Sequence, residues 1–286
     1  MLFLELFIQG LIQGSTYAII AVGLTLIYGL LRVLHVAHAG LFTLGAYLGV
    51  ILTNQTGSLG LGILLAALAS GFAGMAIYRL VYEPILNRPP YVALIASIGL
   101  YIGMEELFRL VFGPFGLSFT SAPLQQVVVI FGIHLRACQI ITVITNLVLL
   151  GILAWIAQKT RIGTGWRATV DDPQISACFG IDPIRVRYLV FFVGSALAAV
   201  AGVLVALLSN FVEPTMGAVP SYKSLAIIVL GGLGNVFGTL IASLLLGVIE
   251  AFGTIYLGNF LDRDAIAFAF LIIVLMVKPT GLFASR

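Results

Sequence analysis

The sequence predicts an all-α fold, a polytopic membrane helix bundle of about eight to nine crossings with broken helices and one short cytoplasmic helix. Hydrophobic residues make up 61% of the chain and charged residues only 9%, and the mean hydropathy is +1.16. Charged residues make up about a quarter of an ordinary soluble domain. At about 20 residues per crossing, 286 residues allow roughly eight to ten crossings. We expect residues 1–286 to form a single transmembrane domain.

The first predicted crossing, residues 7–31, is too polar to face lipid on all sides. It carries Gln13, Tyr17, Thr25 and Tyr28, and the polar interruption at 32–40 that follows adds His38. Polar side chains inside a membrane usually face protein or an aqueous cavity. We therefore take these five residues as candidates to line a path through the bundle.

The remaining crossings are apolar segments separated by polar or proline-containing turns. They are expected at 41–53, 59–78, 91–109, 139–157, 188–208, 222–257 and 265–277. The 222–257 segment is interrupted by GGLGNVFG at 231–238, where Gly231, Gly232, Gly234 and Gly238 predict a helix break. Backbone groups freed by a break cannot face lipid, so such breaks line cavities or are buried in protein.

Glycines four residues apart recur in the apolar segments. The pairs are Gly10/Gly14, Gly45/Gly49, Gly99/Gly103 and Gly234/Gly238. Small residues at this spacing let helix backbones approach closely in lipid. Plain packing of the bundle is the preferred interpretation of these pairs.

Residues 158–187 form the one strongly polar segment of the chain. Five of the 14 Lys and Arg residues lie in it: Lys159, Arg161, Arg167, Arg185 and Arg187. An excess of basic residues places a loop on the cytoplasmic side. Within it, residues 166–179 are predicted to form one short amphipathic helix that ends at Gly180.

Charge counting orients the rest of the chain but leaves one alternative open. If 222–233 is a half-length crossing, there are nine crossings, the C-terminal tail is cytoplasmic, and ten of the 14 basic residues lie inside. If 222–233 is a re-entrant hairpin, the tail lies outside, and only eight basic residues lie inside against six outside. The positive-inside rule favours the first version.

Few residues suggest chemistry. His35 and His38 are three apart but have no neighbouring Cys or carboxylate, so we expect no metal site. Glu250 lies in an apolar stretch with no charge within ten residues, and it is either an ion or proton site or a packing residue with a hidden partner. The chain contains no Gly-Lys dipeptide and therefore no Walker A loop. We predict neither an enzyme nor a cofactor.

Several segments, taken in order, resemble the permeases of branched-chain amino acid ABC importers of the LivH type. They are QGLIQGSTYAIIAVGLTLIYGLLRVLHVAHAG, GWRATVDDPQISACFGID, AIIVLGGLGNVFGTLIASLLLGVIE and the tail KPTGLFASR. The family usually has Asn-Phe-Ala-His-Gly where this chain has HVAHAG at 35–40. The resemblance covers nearly the whole chain, and related permeases that carry urea or amides are similar in the same segments.

The resemblance implies a multi-pass inner-membrane subunit of an importer, without a nucleotide site of its own. Its partners would be a second permease subunit, two cytoplasmic ATP-binding subunits and an extracytoplasmic solute-binding protein. The second permease is expected to be a paralogue, and no nucleic-acid partner is expected. The segment 158–187 would be the cytoplasmic coupling loop, with the coupling helix inside it. The coupling residues carried over are Arg167, Ala168, Asp171, Asp172, Ala177 and Gly180. The more general Glu-Ala-Ala-x3-Gly signature is not met, since Ser176 stands where its last Ala would.

Two rival functions remain at this point. One is a secondary transporter or channel driven by an ion gradient, with Glu250 as the carrier. The other is a structural membrane subunit without a path, which the polar residues of the first crossing disfavour.

Overall fold

The computed structural model describes residues 2–130, 133–258 and 260–283. Its helices are α1 (Leu2–Leu31), α2 (His38–Thr56), α3 (Leu59–Ile77), α4 (Pro90–Phe112), α5 (Ala137–Lys159), α6 (Arg161–Asp171), α7 (Pro173–Cys178), α8 (Pro183–Ser209), α9 (Ala218–Gly231), α10 (Val236–Tyr256) and α11 (Arg263–Val277). Among these residues, six helices are long and apolar enough to cross a membrane: α1, α3 with its continuation to Ile85, α4, α5, α8 and α10. The predicted helical membrane bundle is confirmed.

Helix α1 lies at the centre of the bundle. Its polar residues are not gathered on one face, and it is buried over most of its length, as is typical of a helix surrounded by others. It packs against α10, α8 and α9, while α2 and α3 pack against the other side of α8. Helices α4 and α5 lie at the periphery and leave most of their surface exposed.

The connection between α9 and α10 lies on the same side of the bundle as the polar segment 158–187. Gly29, near the end of α1, lies close to both Gly234 and Val170 of α6. The chain end returns to this side, because the Leu282 amide donates to the Leu230 carbonyl at 2.7 Å. Helix α9 is therefore a pass of its own. Its 14 residues rise about 21 Å, less than the bilayer core of about 30 Å.

This arrangement favours the version with nine passes, with the chain end on the side of the polar segment, over the re-entrant hairpin. The nine passes of the described chain are α1 to α5 and α8 to α11, which alternate in direction. Residues 284–286 of the predicted tail lie outside the described residues.

The prediction of one helix over 166–179 was wrong: the polar segment contains two helices, α6 and α7. Helix α6 stops at Asp171 because the next position caps a new helix. The Asp172 carboxylate accepts hydrogen bonds from the amides of Gln174 and Ile175 at 2.8 and 2.9 Å, and Pro173 occupies the first turn of α7. Gly180 follows with a φ of +80°, so the predicted sharp exit is present.

Residues 112–138, which lie between two of the predicted crossings, contain a β-hairpin. Strand β1 (Val127–Ile130) pairs antiparallel with β2 (Ile133–Arg136). The alternation of apolar and polar residues over 133–136 was the available signal, but it is only four residues long. The hairpin leads directly into α5.

The predicted glycine pairs differ in how closely they contact neighbouring helices. A Cβ on Gly10 would lie 2.6 Å from Cα of Val248, and one on Gly14 would lie 2.8 Å from Cα of Leu244, so α1 and α10 touch backbone to backbone. Gly45 and Gly49 make comparably close contacts with α8. Gly99 and Gly103, by contrast, have no neighbouring atom within 4 Å of such a Cβ.

We expect Gly10→Val to destabilise the protein strongly, because a side chain there would meet the backbone of α10. The loss should be at least the ~1–3 kcal/mol typical of overpacking. Thermal unfolding in detergent, followed by size-exclusion fluorescence, measures it. Gly103→Val is the matched control and should unfold at the parent temperature. Equal stability of the two variants would contradict the close α1–α10 contact.

Candidate functional site

A cavity of about 460 Å³ opens on the side opposite the polar segment. It lies between the first half of α1, the start of α5, the end of α8 and the start of α9. Its lining consists of Gln9, Ile12, Gln13, Thr16, Tyr17, Ile20, Arg136, Gln139, Val205, Leu208, Ser209, Met216, Val219 and Pro220. We call it the outer cavity.

The polar groups of the outer cavity hold one another in place. The Gln139 side-chain amide donates to the Gln9 side-chain oxygen at 3.0 Å, and that of Gln13 donates to the Tyr17 hydroxyl at 3.1 Å. The Arg136 guanidinium donates to the Leu208 carbonyl at 3.1 Å. Apolar side chains make up most of the rest of the wall, together with Thr16 and Ser209. The cavity can thus accommodate a small solute with one polar and one apolar end.

Of the five candidate path residues, the outer cavity brings together Gln13 and Tyr17. The Thr25 hydroxyl lies 2.9 Å from that of Thr239 and joins α1 to α10. Nε2 of His38 lies 3.2 Å from the Ile20 carbonyl, and that side chain is buried. Tyr28 lies near the opposite end of α1, partly buried. These last three residues are outside the lining of the outer cavity.

Beside the outer cavity, four charged side chains form an ionic cluster, in which Lys223 and Glu250 are buried and Arg263 and Asp264 are partly exposed. Nζ of Lys223 lies 2.9 Å from Oε1 of Glu250 and 3.0 Å from Oδ1 of Asp264. The Nε group of Arg263 donates to Oε2 of Glu250 at 2.9 Å. The side chains of Lys223 and Glu250 are 3% and 0% exposed. With two cations and two carboxylates, the ionic cluster is neutral overall.

Tyr17 connects the ionic cluster to the outer cavity. Its hydroxyl donates to Oε2 of Glu250 at 2.8 Å and accepts from Nζ of Lys223 at 3.1 Å. Tyr222 donates a further hydrogen bond to the Asp264 carboxylate. The ionic cluster therefore ties α9 to α1, α10 and α11 at one point.

Sequence reasoning missed this ionic cluster. Charge counting used the basic residues only to orient the chain, and Glu250 had no charge within ten residues along the chain. The structure brings Lys223 from 27 positions upstream and Arg263 from 13 positions downstream onto the same carboxylate. The available signal was Lys223 itself, a lone cation in an apolar 14-residue helix.

The four glycines of the predicted break lie where α9 meets α10. Helix α9 ends at Gly231, and both Gly232 and Gly234 have positive φ, at +95° and +85°. Asn235 caps α10 by accepting a hydrogen bond from the Gly238 amide at 3.0 Å. Gly231 and Gly238 pack against one another so closely that neither leaves space for a Cβ. The helices can turn sharply here because glycine tolerates both positive φ and close backbone contact.

The six candidate coupling residues lie along one short stretch of the polar segment. Arg167, Ala168 and Asp171 belong to α6, Asp172 caps α7, Ala177 lies in α7 and Gly180 follows it. Large apolar side chains accompany them at the surface, with Ile175 57% and Phe179 81% exposed. The exposed face of α7 thus combines apolar and acidic groups.

His35 and His38 have partners other than a metal. Nδ1 of His35 lies 2.6 Å from the Tyr82 hydroxyl, and the two imidazole rings are 5.9 Å apart. Among the described residues, no group of three or more His, Cys, Asp or Glu side chains is placed to hold a metal ion. The pair fixes the turn between α1 and α2 against α3.

Comparison with known proteins supplies the family. Residues 6–277 match the family described as the permease component of the branched-chain amino acid transport system. The chain belongs to this family. It is 32% identical to the high-affinity branched-chain amino acid permease LivH of Salmonella typhimurium, with 98% of this chain and 95% of LivH covered.

Two further relatives fit the same family. The permease BraD of Pseudomonas aeruginosa is 32% identical over 98% of this chain and 95% of its own. LivM of Salmonella typhimurium is 24% identical, with 93% of this chain and 67% of LivM covered. Together with the apolar helices, this makes the chain a multi-pass inner-membrane protein of a transport permease family.

One solved structure shares the fold. It is PsaBC from Streptococcus pneumoniae in complex with Fab, with a TM-score of 0.52, 15% sequence identity, and 95% of this chain and 91% of that chain covered. At this identity the similarity concerns the arrangement of helices alone.

We expect Lys223→Met to destabilise the protein, because it leaves Glu250 and Asp264 short of a cation in a buried site. Removing one partner of a buried ion pair typically costs ~3–5 kcal/mol. Thermal unfolding of the purified protein measures it. Lys223→Met with Glu250→Leu should recover part of the loss, since the Arg263 and Asp264 charges then balance. Arg109→Met, in the exposed pair with Glu105 and Glu106, is the control and should cost ~0–1 kcal/mol.

Proposed function

We propose that this chain is the permease subunit of an ABC importer for branched-chain amino acids. Separate cytoplasmic subunits hydrolyse ATP, an extracytoplasmic binding protein delivers the solute, and a second permease, a LivM-like paralogue, completes the path. Family membership supports the transport role. The observation that supports this class of solute most directly is the outer cavity, where polar and aliphatic walls face one another.

The lining of the outer cavity suits an aliphatic amino acid. Arg136 offers a guanidinium, which pairs well with a carboxylate. The side-chain oxygens of Gln9 and Gln13 are acceptors for an ammonium group, while Ile20, Val205 and Met216 offer apolar contact. A urea or amide solute would leave this apolar wall without a partner.

The ion-gradient rival is not favoured, because Glu250 is not a free carboxylate. It is held by Lys223, Arg263 and the Tyr17 hydroxyl at once. An ion or proton carrier needs a carboxylate that can exchange partners, whereas three donors occupy this one at the same time. Glu250 therefore fits a structural role in fixing α9 beside the outer cavity.

The polar segment is the proposed contact with the ATPase subunits. Helix α7 is short and capped at Asp172, and it exposes Ile175 and Phe179 beside Asp171. A partly apolar helix of this kind can seat in a cleft of a soluble partner. Arg167 and Ala168 on α6 and Ala177 on α7 lie in the same stretch, and Gly180 sets the direction in which α8 leaves.

Uptake by the reconstituted complex tests the proposed function. The permease pair, the ATPase subunits and the binding protein are placed in vesicles loaded with ATP, and labelled leucine is supplied outside. We expect ATP-dependent uptake that unlabelled valine and isoleucine compete for and that survives collapse of the proton gradient. Uptake that depends on the proton gradient and does not require ATP would contradict the proposal.

We expect Val219→Trp to lower leucine uptake at least tenfold, because the larger side chain fills the outer cavity. Val219 is 43% exposed at the cavity wall, so the fold should tolerate the change. Val127→Trp, on the exposed hairpin of the same side and outside the cavity lining, is the control and should transport normally. If the two variants transport equally well, the outer cavity is not on the path.

We expect Gly180→Val to abolish uptake without loss of membrane insertion. Valine is strained at a φ of +80°, so the exit from α7 and the position of its exposed face must change. Co-purification of the ATPase subunits and ATPase stimulation by loaded binding protein are the measurements. Gly60→Val, which enters open space in α3, is the control. Normal stimulation in Gly180→Val would show that the polar segment is only a solvated loop.

A further inference from the structure

A second cavity, of about 400 Å³, lies on the cytoplasmic side of the bundle and shares no lining residue with the outer cavity. It is bounded by the end of α1, the connection between α3 and α4, and the start of α8. We call it the inner cavity. Its volume is within the range of small-molecule sites, about 300–1,000 Å³.

The backbone that forms one wall of the inner cavity is irregular. Helix α3 continues as a π-helical turn, Tyr78–Tyr82, and then a 3₁₀ turn, Glu83–Ile85, which contains Pro84. A π turn inserts an extra residue per turn and shifts the side chains that follow it, and such turns occur frequently at functional sites. Here the irregular turns place Tyr78 and Glu83 at the same cavity.

Two buried polar atoms at the inner cavity lack hydrogen-bond partners among the described residues. They are the hydroxyl oxygen of Tyr78, whose side chain is 0% exposed, and Nε of Arg187. The Arg187 guanidinium lies beside the Tyr78 hydroxyl, whose oxygen can accept from it, but no hydrogen bond of normal geometry joins the two. The phenol proton and the Arg187 Nε–H are therefore two donors in the same corner of the inner cavity. Buried polar groups are nearly always hydrogen-bonded, and exceptions of this kind indicate a missing partner. The missing partner of two donors is an acceptor such as a carboxylate.

The inner cavity also holds an unpaired negative charge. Oε2 of Glu83 accepts a hydrogen bond from the Tyr188 hydroxyl at 2.8 Å, and this orients the carboxylate. Within the described chain, neither Glu83 nor Arg187 forms an ion pair with any side chain, although both line the same cavity. A phosphate or other simple anion would be repelled by Glu83. A molecule that carries both charges satisfies both residues.

The rest of the lining is mixed. Asn87 adds a polar group, and four aliphatic residues complete the cavity: Leu30 and Leu31 from α1, Leu86 from the α3–α4 connection and Ile184 from α8. A cation, an anion and a few aliphatic side chains in one cavity match the three parts of an aliphatic amino acid: its carboxylate, its ammonium group and its side chain.

We propose that the inner cavity binds a zwitterionic aliphatic amino acid from the cytoplasmic side. Arg187 and Tyr78 take the carboxylate, Glu83 takes the ammonium group, and Leu86 with Ile184 contacts the side chain. The class of ligand rests on the proposed function, because it is the class of solute that the importer delivers to this side.

Occupancy of the inner cavity should slow import. Ile184 and Arg187 begin α8 a few residues after the polar segment, and Leu30 and Leu31 end α1. A ligand that contacts both elements favours the arrangement in which they are correctly spaced and opposes movement away from it. Accumulated amino acid would then reduce its own import.

The experiment measures initial uptake of labelled leucine into ATP-loaded vesicles that contain the whole importer, with or without unlabelled leucine sealed inside. For the parent protein we expect internal leucine at millimolar concentration to lower the initial rate at least threefold. Glu83→Gln and Arg187→Gln should import normally into empty vesicles and need at least tenfold more internal leucine for the same reduction. Internal N-acetylleucine, which lacks the ammonium group, and internal glycine, which lacks the side chain, should have no effect.

Arg185→Gln is the matched control, because Arg185 is exposed, forms an ion pair with Asp182 and lies two residues from Arg187. It should respond to internal leucine as the parent does. Asn87→Trp is a second test that is independent of whether the charge variants fold, because Asn87 is exposed on the rim of the inner cavity. It should also remove the inhibition by internal leucine.

Two results would overturn the proposal: a parent rate that does not depend on internal leucine, or a response that Glu83→Gln, Arg187→Gln and Asn87→Trp all retain. Both results can be told apart from failure of the proposed function, because in that case the parent protein would take up no leucine even into empty vesicles.

Discussion

The ion pair between Lys223 and Glu250 fixes the geometry on which the outer cavity depends. Helix α9 is too short to span a bilayer core by itself, and its start must be held in place by neighbours. A lysine buried to 3% exposure is stable there only because Glu250 and Asp264 compensate its charge. The hydroxyl of Tyr17 extends this network into the wall of the outer cavity. One neutral cluster thereby positions α1, α9, α10 and α11 relative to one another.

Close backbone contact is the second condition for this arrangement. The glycines of α1 bring it against α10, so that Glu250 on α10 can reach Tyr17 on α1. In lipid the hydrophobic effect contributes little to helix association, and close packing with a few interhelical hydrogen bonds takes its place. The bonds from Asn146 to Ser15 and between Thr25 and Thr239 belong to the same set. Buried polar residues of α1 thus serve packing as well as the outer cavity.

The two cavities lie at opposite ends of the same central helix. Gln13 and Tyr17 from the first half of α1 line the outer cavity, and Leu30 and Leu31 from its end line the inner one. The outer cavity carries its cation, Arg136, on the connection into α5, whereas the inner cavity carries Arg187 at the start of α8. A polar segment that moves with an ATPase partner would act first on the inner end, since α8 begins directly after it.

Composition and periodicity alone determined the membrane bundle, the position of the polar segment along the chain, the break at 231–238 and the turn at Gly180, because each depends on local hydrophobicity or on the φ angles that glycine allows. The tertiary structure decided what depends on residues far apart in the chain. It paired Glu250 with Lys223 and Arg263, and it placed Glu83 and Arg187 in the lining of one cavity without an ion pair between them. It also separated α6 from α7 at Asp172 and placed the tail beside the polar segment. A single sequence does not encode such distances in any local pattern, since they arise only when the helices pack.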